Sequence, residues 1–317
     1  MKSQQGLPFE IFSEEALQQA TDGFAEQQVI GHGGHGKVYK GVMKDDMEVA
    51  VKRCMTIDEQ QKKEFGKEMI ILSQINHRNI VKLLGCCLEV EVPILVYEFI
   101  PNGTLFHLIH DNRSRHISLD TRLRIAYESA DALAYLHSCA SPPILHGDVK
   151  STNILLNGDL TAKICDFGAS ILAPSDESQF LWSCSPRVAH TQEAFNLQGP
   201  EHEKSLSMVF LCAMKENKLE DILDDEIKNS ENLEILEEIA ELARQCLEMC
   251  GANRPSMKEV ADKLDRLRKV LQNPWAHKDP EEWDNLLGES SLVNSGALST
   301  GNFSITKRVA MGLESGR

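Results

Sequence analysis

The sequence predicts an α+β chain of two lobes, a small β-rich lobe with one helix followed by a mainly helical lobe. Three observations carry this prediction. Short β-rich runs crowd into residues 29–99, and apolar residues recur at helical spacing beyond Pro101-Asn102-Gly103. The length of 317 residues suits one catalytic-sized unit of roughly 250 residues with flanking segments.

The elements follow in order. Ser13 before Glu14 and Glu15 predicts a short capped helix ending near Gly23, so 1–23 reads as a lead-in. Residues 24–100 form the small lobe, with strands at Val29-Ile30, Lys37–Val42, Glu48–Arg53, Val81–Leu88 and Ile94–Phe99. Its helix spans about 58–75, where Phe65, Met69 and Leu72 fall at i, i+4 and i+7 and set Glu64 and Glu68 beside the buried stripe. The larger lobe, 101–272, opens on a core helix with Leu123, Ala126, Tyr127, Ala130, Leu133 and Ala134 as its stripe, closed by Pro142-Pro143. Two further stripes run through Ile235, Ile239, Leu242 and Cys246, and through Met257, Val260, Leu264, Leu267 and Val270; Ser256 with Glu259 makes a capping box for the last. The tail, 273–317, is rich in Ser, Gly and Asn and is expected to be loosely held.

Composition excludes several functions. A formal charge of −15 argues against nucleic acid or an anionic membrane as main partner, since both demand concentrated Lys and Arg. The longest apolar run, from Val92 to Ile100, falls well short of a membrane span, and the opening Met1-Lys2-Ser3-Gln4-Gln5 has no apolar signal region. The nine cysteines show neither metal-ligand nor framework spacing and read as reduced thiols in a cytosol. Cys86 and Cys87, adjacent on a strand, are expected to point to opposite faces. The acidic stretch Glu216–Glu241 reads as a solvated helical face, and the N-x-S/T matches at Asn102, Asn112 and Asn302 as chance.

Gly31-His32-Gly33-Gly34-His35-Gly36-Lys37-Val38 is a glycine-rich turn between strands, where backbone N–H groups can approach phosphate oxygens. Alone it fits a plain hairpin or a dinucleotide fingerprint equally. The dinucleotide reading requires a helix at the third glycine, whereas here a strand follows. Val49-Ala50-Val51-Lys52 then offers a single lysine on a strand, with Glu68 on the helix as its partner. The strongest signal is His146-Gly147-Asp148-Val149-Lys150-Ser151-Thr152-Asn153, followed by Asp166-Phe167-Gly168: an acid, a lysine two on, an amide five on and a second acid thirteen further.

With these motifs in order, the chain resembles the eukaryotic protein kinases, and within them the plant wall-associated receptor-like serine/threonine kinases. The likeness is densest over Ile71–Gly85, Val96–Leu105 and Lys150–Leu156, and covers most of 9–172 and about 194–272. The resemblance implies ATP and Mg²⁺ as cofactors and protein Ser/Thr hydroxyls as acceptors. By it Asp148 would be the catalytic base, Lys150 would steady the γ-phosphate, and Lys52 paired with Glu68 would hold the α- and β-phosphates. Asn153 and Asp166 would hold the metal. Ile30, Gly31, Gly33 and Gly36 would cover the nucleotide, Val38, Ala50 and Leu155 would sandwich adenine, Tyr97 would lie behind it, and the backbone of Glu98 to Ile100 would be the hinge. Other receptor-like kinases are expected partners. The location expected is cytoplasmic for the chain as it stands, and the cytoplasmic face of the plasma membrane if it follows its family.

Two departures matter. The family's usual arginine before the catalytic acid is Gly147, which removes a guanidinium clamp on a phosphorylated activation segment. Beyond Gly168, Ser178–Gln192 matches nothing in the family, and 194–214 resemble a part that follows a buried, aspartate-bearing helix; dozens of residues including that helix are therefore expected to be missing, an insert and deletion around 178–203. Gly199-Pro200-Glu201 mimics the family's closing Pro-Glu, which normally pairs with an arginine equivalent to Arg254, but the residues after it lack the anchoring aspartate. The expectation is a serine/threonine kinase of the receptor-like type with activity impaired. The alternative is an ATP-binding pseudokinase or interaction module, and a Rossmann oxidoreductase ranks third because it leaves Lys52 and Asp166 unexplained.

Overall fold

The computed structural model describes residues 9–33, 36–55, 59–110, 117–173, 206–228 and 232–273. The expectations at Gly34, His35, Asn112, Cys184, Asn302, residues 178–203 and the tail beyond Asn273 fall outside them.

A six-stranded sheet forms the small lobe, in the order β1-β5-β6-β4-β3-β2. Its strands are β1 (Glu10–Ile11), β2 (Val29–Gly33), β3 (Gly36–Val42), β4 (Glu48–Arg53), β5 (Leu83–Cys87) and β6 (Ile94–Glu98). The predicted strand at Val81–Leu88 is thus shorter. Val81 instead bonds to the second lobe, donating its N–H to Ile164 O, and Leu88 is exposed. Strand β1 was not foreseen, because two residues carry no periodicity. It lies parallel to β5 at Gly85, where any Cβ would fall 1.9 Å from the Glu10 carbonyl oxygen. Helix α1 (Glu14–Ala20) begins where the Ser13 hydroxyl accepts the Ala16 N–H, as predicted.

Strand alternation divides the lobe into two cores. Lys52 stands opposite Val38 and Leu95, and Ala50 opposite Tyr97, so all five side chains share one face. Tyr39, Val49, Val51 and Val96 pack on the other face with Phe12 and Leu17. Cys86 and Cys87 are split between the same two cores, which meets the expectation of opposite faces.

Helix α2 (Glu59–Gln74) lies on the Lys52 face and buries Phe65, Glu68, Ile71 and Leu72. Glu68 is therefore inside the stripe, at 1% exposure, and not beside it; Met69 is only partly buried. Hydrophobic spacing could not anticipate this, because a carboxylate enters an apolar face only when partners from elsewhere in the chain meet it.

The second lobe is helical, with α3 (Leu105–His110), α4 (Leu119–Ser138), α5 (Leu206–Lys215), α6 (Leu219–Ile222), α7 (Leu233–Cys246) and α8 (Met257–Gln272). Two short ribbons accompany them, β8 (Ile154–Leu156) with β9 (Ala162–Ile164), and β7 (Ile144–Leu145) with β10 (Ile171–Leu172). Helix α8 carries the predicted capping box and buries Val260, Leu264, Leu267 and Val270 along α4, each worth about 1.5–3 kcal/mol before entropy is counted, together with the smaller Ala261. Arg268 and Gln272 both bond Asp120 at the start of α4.

Three stripes need correction. On α4, Ala126 is exposed and Tyr127 and Ala134 only partly buried, while Ile125, Ala132 and Leu136 are buried. On α7, Ile239 and Cys246 are partly buried and Leu236 and Ala240 take the core. Met257 is likewise only partly buried. The cause is what packs against each helix: α8 and β9 lie on α4, and neither covers Ala126. The acidic stretch is not one helical face either; it runs through turns and two helices, and Asp224 and Glu226 are paired to Arg122.

Candidate functional site

Lys52 reaches across the sheet face to two carboxylates. Its Nζ lies 2.7 Å from Glu68 Oε2 and 2.8 Å from Asp166 Oδ1. The second oxygen of Glu68, Oε1, accepts the Tyr97 hydroxyl at 2.7 Å. One ammonium is thus held between two acids with little water. Burial pushes the Lys52 pKa down, but the Glu68 and Asp166 charges outweigh it and hold the lysine protonated, well above its ordinary value. Burial, then Glu68, drives the Tyr97 phenol well above its own, so the hydroxyl remains a donor.

Below the sheet, the loop after β7 supplies the second set. Asp148 Oδ2 lies 2.6 Å from Lys150 Nζ and accepts Asn153 Nδ2 at 3.0 Å; the same amide also donates to the Asp148 carbonyl at 2.9 Å. His146 fixes the loop from beneath. Its Nδ1 accepts the Asp148 N–H at 3.3 Å, which makes Nε2 the protonated nitrogen, donating to Cys165 O at 3.0 Å. Burial keeps this imidazole neutral by lowering its pKa. Phe167, fully buried, packs edge-on against it at 4.8 Å.

Asp166 has φ +67°, a left-handed conformation uncommon for a residue with a side chain, and the backbone around it is over-determined. Strand β9, which leads into it, is fastened on both sides. Glu128 Oε2 accepts the Ala162 N–H, Asn79 Nδ2 donates to the Ala162 carbonyl, and Ile164 N–H donates to the Asn79 carbonyl, all at 2.8 Å. Lys163 Nζ lies 2.6 Å from Glu98 Oε1. Sequence reading passed over Asn79, Glu128 and Lys163. The one signal for Lys163 is its place between two buried apolar residues, three before Asp166.

The remaining candidates lie on β2, β3, β4, β6 and β8. Gly31 pairs with Val38 and Gly33 with Gly36 across the hairpin, and Ile30 is half exposed at a bulge. Gly36 has φ +141° and a Cβ there would meet Arg53 O at 2.2 Å, so this turn admits only glycine. Val38 and Ala50 share the Lys52 face, Tyr97, Glu98 and Ile100 close β6 and the link out of it, and Leu155 is supplied by β8 in the other lobe. Lys52, Glu68, Tyr97 and Asp166 are thus joined in one bonded set and Asp148, Lys150 and Asn153 in another, while Gly34 and His35 between the glycines lie outside the described residues.

Among the described residues no three His, Cys, Asp or Glu side chains gather as a metal cage. Asn153 and Asp166 instead offer hard oxygen donors in small number, which fits Mg²⁺, a cation that keeps water and phosphate oxygens as most of its ligands.

Gly147, in place of the expected arginine, has φ +83°, and a Cβ would sit 2.6 Å from Ala169 O. Arg254 donates its Nε–H to Glu248 O at 2.7 Å, and among the described residues no carboxylate pairs with it. No helix among the described residues is long and apolar enough to cross a membrane.

A six-stranded sheet with a helix on one face, and a lysine on that face paired to a glutamate of the helix and an aspartate of the second lobe, define a kinase-type site. Sequence comparison agrees: the family of protein tyrosine and serine/threonine kinases matches residues 24–186, and the chain belongs to this family. It is similar to wall-associated receptor kinase 3 of Arabidopsis thaliana, 42% identical over 98% of this chain and 46% of the relative. It is 41% identical to the putative wall-associated receptor kinase-like 16 of the same plant, over 98% of this chain and 79% of that relative. The chain spans about half the length of most of the curated relatives it matches. The first match runs over 344 positions, more than the 317 residues of the chain, so it opens gaps in this sequence.

Proposed function

We propose that the chain is the catalytic segment of a receptor-like serine/threonine kinase that binds ATP with Mg²⁺ between its lobes. The observation that carries this reading is the Lys52 ammonium seated on both Glu68 and Asp166, at 2.7 and 2.8 Å, since it joins the small-lobe sheet, helix α2 and the Asp166 loop of the second lobe in one contact. Lys52 would hold the α- and β-phosphates, the glycine hairpin Ile30–Gly36 would cover them, and Val38, Ala50 and Leu155 would enclose adenine against the Tyr97–Ile100 hinge. Asn153 and Asp166 would hold Mg²⁺, which when bound neutralises the charge on the phosphate oxygens. Asp148, fixed by Asn153 and Lys150, would accept the proton of a substrate Ser or Thr hydroxyl as its oxygen attacks the γ-phosphorus and the bond to the β-phosphate oxygen breaks. Protein substrates, other receptor-like kinases as partners, and a cytoplasmic location at the plasma membrane belong to the same reading.

A second reading, nucleotide binding without transfer, draws on the gaps that alignment with the relatives opens in this chain. Incubation of the purified chain with ATP·Mg²⁺ and a Ser/Thr peptide separates the two. Transfer abolished by Asp148→Asn and Lys52→Met supports the kinase; a nucleotide-induced rise in melting temperature without transfer supports the second reading; neither effect refutes both.

A further inference from the structure

The Glu98 side chain has no place in the nucleotide reading, which uses only its backbone. Glu98 is held twice by Lys82, through its N–H to Lys82 O at 3.0 Å and through Oε1, which accepts the Lys82 N–H at 2.9 Å. The same Oε1 lies 2.6 Å from Lys163 Nζ in the other lobe, and both side chains are largely shielded, at 29% and 16% exposure. Lys163 faces Leu155 directly across the β8–β9 ribbon, so those two side chains share a face, and Asp166 follows Lys163 by three residues.

We infer that Glu98–Lys163 is an inter-lobe strut that positions Asp166 relative to the hinge, so that adenine binding and Mg²⁺ binding reinforce each other through it. The argument is geometric. The small lobe and the β8–β9 ribbon are also joined by shared apolar packing, by hydrogen bonds at Asn79 and Val81 and by the Lys52–Asp166 ion pair, and among these ties Glu98–Lys163 is the one that ends on the hinge. The Lys52 pair must share its ammonium with phosphates when nucleotide binds, whereas Glu98 and Lys163 do not touch that ligand in the proposed pose. Their pair therefore persists while Asp166 turns to the cation. A segment already fixed by the first ligand costs less to order for the second, which is positive coupling. Both are positioning residues.

The inference rests on the nucleotide-binding reading, and the test separates the two. ATP affinity of the whole chain is measured by titration calorimetry with and without Mg²⁺, for the unaltered protein, Glu98→Gln, Lys163→Met and the double variant. Glu98→Gln keeps an oxygen for the Lys82 N–H and removes only the charge; Lys163→Gln serves where Lys163→Met does not fold. The Mg²⁺ enhancement of ATP affinity is expected to fall about tenfold in each single variant and no further in the double variant, and Lys163→Met, which lies outside the proposed nucleotide contacts, is expected to change Mg²⁺-free affinity less than twofold. Equal losses with and without Mg²⁺ in Lys163→Met, or losses that add in the double variant, would overturn the strut. No ATP binding by the unaltered protein would instead overturn the reading beneath it and the strut with it.

Discussion

Replacing Tyr97 with phenylalanine removes one oxygen atom and leaves the ring in place. Tyr97 and Glu68 are 6% and 1% exposed, and their 2.7 Å bond ends on a carboxylate whose other oxygen is committed to Lys52. With the hydroxyl gone, Glu68 Oε1 stays buried and loses its donor, and no water reaches it readily. A hydrogen bond to a charged group contributes about 1.5–3 kcal/mol, and stranding the acceptor places the loss toward the upper part of that range. For a unit of more than 200 residues each kcal/mol moves the melting point by about 2–4 °C, so Tyr97→Phe is expected to melt about 4–12 °C lower. Calorimetric or fluorescence melting of the single variants, Glu68→Gln and the double variant completes a cycle, with a coupling of at least about 1 kcal/mol expected. If Tyr97→Phe melts within 1 °C of the parent and the cycle closes without coupling, the Tyr97–Glu68 bond does not stabilise the fold and the argument for it fails.

Other expectations follow from the same geometry. Lys52→Met leaves Glu68 and Asp166 without their shared cation; urea denaturation is expected to register a loss of about 3–5 kcal/mol, along with loss of ATP binding, and an unchanged midpoint would contradict the buried pairing. Gly147→Ala combines a φ of +83° with a Cβ 2.6 Å from Ala169 O, so restoring a side chain at this position should lower stability by about 1–3 kcal/mol, read by thermal melting. His146 has its pKa lowered from 6.5 by burial, so its contribution is complete above about pH 6.5 and is lost as pH falls below that value toward the folded pKa. Urea midpoints at pH 7.5 and 5.5 should therefore differ more for the parent than for His146→Gln, and parallel pH slopes would exclude the effect. Ser256→Ala removes the capping box of α8 and should cost about 1 kcal/mol in the same assay.

The elements themselves were readable in sequence because their signals are local. Ser13 and Ser256 announce their helices within four residues, the glycine turn announces its hairpin, and the period-2 alternation around Lys52 assigns that lysine to one sheet face. The spacing of Asp148, Lys150, Asn153 and Asp166 likewise marked candidates; the structure bonds Asp148 to Lys150 and Asn153, ties the Asn153 carbonyl to the Cys165 N–H beside Asp166, and pairs Asp166 with Lys52. What sequence could not assign was which side chains complete each other across the chain. Lys52 and Asp166 are 114 residues apart, and Glu98 and Lys163 are 65 apart. A charge in a sequence is indistinguishable from a solvated one until the fold removes water from it. The burial of Glu68, the exposure of Ala126 and the left-handed turn at Gly147 were all decided by neighbours from distant segments. Hydrophobic spacing fixes where helices and strands can form, whereas desolvation and long-range pairing, which exist only in the folded chain, decide which of their polar residues work together.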